Sequence, residues 1–149
     1  MSGTRSVRQS LRIAVPPARV YEALVRPAEL ARWLCGRAAW ADEARGAVRV
    51  GWGSLSFEVV YRERVPGRRV VLDWGYGRGV GRTVTFTLEP HGEGTLVTLV
   101  HEGFDPGEEA LGEWAGAHEG WAVYLCNLLT VLETGRDLRE GQPKGTITG

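Results

Sequence analysis

The chain has 149 residues, 43% apolar and 24% charged, a balance that suits one globular domain around one core. Its 18 basic and 18 acidic side chains cancel, which argues against a nucleic-acid-binding face or a polybasic membrane patch. No signal-peptide core and no apolar run of membrane-spanning length is visible, so a cytoplasmic setting with no membrane span is expected.

Val7, Leu11, Ile13 and Val15 alternate with polar residues and predict a half-buried first strand. Pro16 and Pro17 stop it, and Pro17 can open a short helix because its missing N–H is not needed in the first turn. Pro27 opens a second short helix carrying Leu30, Trp33 and Leu34, and Gly36 ends it.

From residue 37 to 104 the period is two. Val48, Val50 and Trp52 share one parity and Leu55, Phe57, Val59 and Tyr61 another, so a turn or bulge is expected near Gly53 and Ser54. Pro66-Gly67 is a turn signal. Val70, Leu72, Trp74 and Tyr76 alternate next, followed by a loose connection through Gly75, Gly77, Gly79 and Gly81. Val84, Phe86 and Leu88 alternate with threonines. A hairpin loop is expected over 90–94, and Val97, Leu99 and His101 complete the last strand.

After Phe104 the period becomes 3.6. Trp114, His118, Trp121, Leu125, Leu128 and Leu132 form one stripe, predicting a helix over about 109–134 that is roughly 37 Å long. Gly135 stops it. The tail, about 136–149, has little to bury and is expected to be partly ordered. Strands followed by a segregated long helix make the fold class α+β, with residues 1–149 as a single domain.

Val15-Pro-Pro-Ala-Arg-Val-Tyr-Glu-Ala-Leu24, the Pro27–Trp33 segment, Val84-Thr-Phe-Thr-Leu-Glu-Pro90, the stretch from Gly94 to Phe104, and His118-Glu-Gly-Trp121 resemble the activator of 90 kDa heat shock protein ATPase homologue family. That family belongs to the START-like (SRPBCC) superfamily. The resemblance implies a helix-grip fold: a curved antiparallel sheet wrapped around a long C-terminal helix, with two short helices after the first strand and a cavity between sheet and helix. It implies no catalytic constellation. The superfamily's activities range from lipid and hormone binding through polyketide cyclases and aromatases to heat-shock co-chaperones, and fold does not choose among them. The middle, 38–54, departs most from the family pattern, with Trp40 and Trp52 as candidates for tuning the pocket.

Trp33, Trp74, Tyr76, His101, Phe104, His118, Trp121 and Leu125 have inward parity. They read either as core aromatics and aliphatics or as the lining of a ligand cavity. The function expected from the cavity reading is a carrier or sensor for a small apolar or aromatic molecule. A cavity enzyme such as a cyclase, aromatase or hydrolase, and a protein-binding module acting on the heat-shock ATPase, are the alternatives. His101 and His118 are candidates to orient a ligand carbonyl or phenol. Burial resists charging of such rings, so binding is expected to weaken below about pH 6. No nucleophile is placed beside them, and no catalytic residue is assigned. The two cysteines, Cys35 and Cys126, suit neither a disulfide framework nor a metal site. No metal or cofactor is expected, and a homodimer is compatible with this reading.

Overall fold

The computed structural model describes residues 5–75 and 82–140. Strand β1 (Arg5–Ile13) leads into helices α1 (Pro17–Val25) and α2 (Pro27–Trp33), each with proline in its first turn. Strands β2 (Arg37–Asp42), β3 (Ala47–Trp52), β4 (Leu55–Val65), β5 (Arg69–Trp74), β6 (Thr83–His91) and β7 (Gly94–Phe104) follow, and α3 (Leu111–Thr134) closes the fold. The seven strands form one antiparallel sheet in the order β1-β7-β6-β5-β4-β3-β2. This is the α+β helix-grip architecture.

The turns follow from backbone chemistry. At Gly53 φ is +55°, and a two-residue turn pairs Trp52 with Leu55. This is why the hydrophobic parity breaks between β3 and β4. The expected 90–94 loop is tighter than read: Pro90 and His91 stay in β6, His91 pairs with Gly94, and Gly92 takes φ of +62°.

Val59, Val70, Val84, Val97 and Leu99 are almost wholly buried and form one core cluster with Leu125 and Leu128 of α3. Removing such side chains from water is the main force holding helix and sheet together. Trp33 belongs to this core. Its indole N–H donates to the Ala23 carbonyl across 2.9 Å, and its ring meets Phe86 edge-on. The buried Tyr61 hydroxyl donates to the Leu24 carbonyl, tying α1 to β4.

The first residues after α3 are anchored by side chains, and the rest of the expected tail, 141–149, lies outside the described residues. Asn127, fully buried, donates to the Trp33 carbonyl and to Asp137, and accepts from the Leu138 N–H. Arg139 donates to the carbonyls of Cys35 and Ala31 and pairs with Asp137. Residues up to Glu140 are thereby docked against α2. No helix among the described residues is long and apolar enough to cross a membrane.

Candidate functional site

A cavity of about 250 Å³ lies between the concave face of the sheet and the first half of α3. It is partly open to solvent, so it is a cleft that a small molecule can enter and not a sealed void. Its sheet wall is aromatic. Trp52 stacks on Phe57 with centroids 5.5 Å apart, Phe57 meets Trp74 at 5.4 Å, and Trp74 meets Trp121 of the helix at 5.2 Å. His101 and Phe104 extend this belt, their rings 4.6 Å apart.

The position of Phe104 depends on a glycine. His101 and Phe104 are three apart, so a regular strand would send them to opposite faces. The β1–β7 register shifts by one residue between the Val7–His101 and Arg5–Phe104 pairs, and Gly103 takes φ of +95°. This bulge rotates Phe104 onto the face of His101.

The helix wall is unusually bare. Gly112, Gly116 and Gly120 recur every four residues and line the cavity together with Glu113, Ala117, Trp121 and Tyr124. A Cβ added at Gly112 or Gly116 would meet nothing within 4 Å. Glycine disfavours a helix by about 1 kcal/mol relative to alanine, so this arrangement gives up local stability to leave the opening clear.

The polar groups of the cavity are few. The Trp121 indole N–H donates to Nδ1 of His101 across 2.9 Å. Burial, with the charge of Arg82 adding to it, pushes the pKa of His101 down to about 3. The ring is therefore neutral, and because Nδ1 accepts, its proton sits on Nε2. Arg82 is 5% exposed. Its guanidinium lies 4.4 Å from the centre of the Phe104 ring and pairs with Glu113. Burial pushes the Tyr124 phenol up to about 12, so it too carries its proton. Arg82 Nε, His101 Nε2 and the Tyr124 hydroxyl are buried side-chain atoms without a hydrogen-bond partner among the described residues.

The family model for Activator of Hsp90 ATPase homolog 1-like protein matches residues 14–133. The chain belongs to this family. No curated protein shows significant sequence similarity to it. Among solved structures, SSP2350 from Staphylococcus saprophyticus is 20% identical, with a TM-score of 0.75 over 91% of this chain and 96% of that one. The Aha1 dimer from Colwellia psychrerythraea is 19% identical, with a TM-score of 0.73 over 89% and 98% of the two chains. DynU16, from the dynemicin biosynthetic locus, is 26% identical, with a TM-score of 0.73 over 89% of this chain and 48% of its own length. These likenesses support the helix-grip fold.

Of the residues singled out from the sequence, the structure brings Trp74, His101, Phe104 and Trp121 together around the cavity. Tyr76, with Gly77, Gly79 and Gly81, lies outside the described residues. Trp33 and Leu125 are buried in the core and do not line the cavity. His118 is exposed: it packs on Trp114, its carbonyl accepts from Gln9 of β1, and it does not meet His101. The face of α3 that lines the cavity runs through Glu113, Ala117, Gly120 and Tyr124, and His118 lies about 100° round the helix from Ala117, on the side of β1, where Trp114 also donates to the Ser6 carbonyl.

Arg82, Glu113, Tyr124, Phe57 and the glycine row were not singled out. Trp52 was, through its unusual place in the family pattern, and it lines the cavity. Trp40 instead packs on Tyr61 beside Arg64. A glycine repeat at four-residue spacing within a helix was the available signal for the bare wall. Nothing local marks Arg82, which follows a glycine-rich connection.

Proposed function

We propose that this domain binds a small apolar or aromatic molecule in the cavity between sheet and α3, as a carrier or sensor. The observation that carries this reading is the 250 Å³ space walled by Trp52, Phe57, Trp74 and Trp121 and faced by glycines. Apolar walls with a few convergent polar groups are the usual make-up of a small-molecule site. The glycines add a specific argument, because helix stability alone favours alanine at those positions.

A catalytic role is less well supported. A general base works best with a pKa near the working pH, whereas His101 is held near 3 and its basic nitrogen is taken by Trp121. Glu113, the carboxylate of the lining, is paired with Arg82. Among the described residues no group of His, Cys, Asp and Glu is placed to hold a metal ion. The family description names activation of the Hsp90 ATPase, but no feature of this cavity argues for a protein partner. The dimer reported for the Colwellia protein makes a homodimer a further expectation, to be read by sedimentation.

The test is titration of the purified protein with fused-ring aromatic compounds while tryptophan emission is followed. Saturable quenching that weakens in Trp121→Ala is expected. A folded wild type that binds none of a broad apolar panel contradicts the proposal.

A further inference from the structure

The cavity's unpaired polar groups are all able to donate. The Trp121 bond leaves His101 with a proton on Nε2 and no free acceptor nitrogen. Arg82 Nε–H is a donor by nature, and its charge is already balanced by Glu113. The Tyr124 hydroxyl lies near the Trp52 indole, but that group only donates and is engaged by the Leu34 carbonyl, so the tyrosine proton has no acceptor among the described residues. Each of these side chains is at least 95% buried and belongs to the wall of the same cavity, with the donor atom itself shielded from solvent. Buried donors without acceptors are rare in folded proteins, and leaving one unmet costs more than a formed bond returns. Their collection around one apolar space is a recognition pattern.

We infer that the ligand is an aromatic or apolar ring system bearing an uncharged carbonyl-type oxygen, towards which one or two of Arg82, His101 and Tyr124 turn to donate while its rings lie in the Trp52, Trp74 and Trp121 belt. This rests on the cavity-binding reading and narrows it. An ammonium group meets the Arg82 charge, and the one carboxylate of the lining, Glu113, is already paired with that arginine. A pure hydrocarbon leaves the donors unmet. Of these three cases the carbonyl answers both conditions, and Arg82 needs no second negative charge because Glu113 already balances it.

Three probes of one shape separate these cases at a single ring atom: fluorene, 9-fluorenone and 9-aminofluorene, titrated calorimetrically into the full chain. 9-Fluorenone is expected to bind about tenfold more tightly than fluorene, the order of one or two buried hydrogen bonds, and 9-aminofluorene more weakly than both. Tyr124→Phe keeps the ring and removes one donor. It is expected to reduce that preference several-fold and to raise the melting temperature of the free protein by removing an unmet hydroxyl. Equal binding of fluorene and 9-fluorenone overturns the carbonyl assignment and leaves the cavity reading standing. Binding of neither overturns both. An unchanged preference in a folded Tyr124→Phe, together with an unchanged preference in His101→Phe, also overturns the assignment.

Discussion

The Trp121 indole nitrogen and Nδ1 of His101 are 2.9 Å apart, one on α3 and the other on β7, and their hydrogen bond lies in the wall of the cavity. It joins helix to sheet through side chains where the glycines of α3 offer no contact. It also fixes the tautomer of His101, so the group facing the cavity is a donor.

This pairing sets a pH dependence. His101 titrates near 3 in the folded chain against an ordinary value of 6.5, because its environment disfavours the charged ring. Between those values the unfolded chain binds more protons, so stability rises with pH through the window and is lost as pH falls. From pH 7 to 4 this group removes up to about 3 kcal/mol. Urea denaturation of wild type and His101→Phe at both pH values checks this, with a shallower loss expected for the variant. Equal losses contradict it. Ligand binding should stay level from pH 8 to 5, since the ring is neutral throughout. The sequence-based expectation of weakening below about pH 6 is thus displaced to lower pH.

Gly103 carries a geometric role that a side chain cannot fill easily. At φ of +95° a Cβ is strained, and the bulge it forms brings Phe104 beside His101 and under Arg82. Gly103→Ala is expected to cost about 1–2 kcal/mol and to weaken aromatic-ligand binding with it. Chemical denaturation and ligand titration on the same variant measure both. A neutral substitution in both assays contradicts the role.

The segment after α3 should behave as part of the domain. Asn127→Ala leaves the Trp33 carbonyl and the Leu138 N–H without their side-chain partner. A loss of about 1–3 kcal/mol is expected, with faster hydrogen exchange at Leu138 and Arg139. Unchanged exchange at those amides contradicts the docking.

The elements were largely legible in the sequence because their signals are local. The change of period after Phe104, the proline pair before α1 and the turn glycines each act over a few residues. The candidate site was legible only in part. Trp74, His101 and Trp121 follow from parity and helical spacing. Phe104 shares that face only through a bulge at Gly103 that parity does not show. His118 fails to reach the cavity because the stripe chosen from the sequence is not the lining face, which runs through Glu113, Ala117, Gly120 and Tyr124 and leaves His118 on the side of β1. Arg82 and Tyr124 acquire meaning only when β6 and α3 are brought together, since a donor is unpaired only with respect to its three-dimensional surroundings.

The bare helix wall offers the most direct test that ligands enter this cavity. A Cβ at Gly116 meets nothing within 4 Å, so Gly116→Leu puts a bulky group into the opening without displacing neighbours at its base. Replacing glycine by leucine within a helix also favours the helix by just under about 1 kcal/mol. The measurement is calorimetric titration of wild type and Gly116→Leu with fluorene and 9-fluorenone, alongside their melting temperatures. The account predicts a variant that melts no lower than wild type and binds either probe at least tenfold more weakly. A Gly116→Leu protein that binds both probes as wild type does would place binding elsewhere and contradict the account.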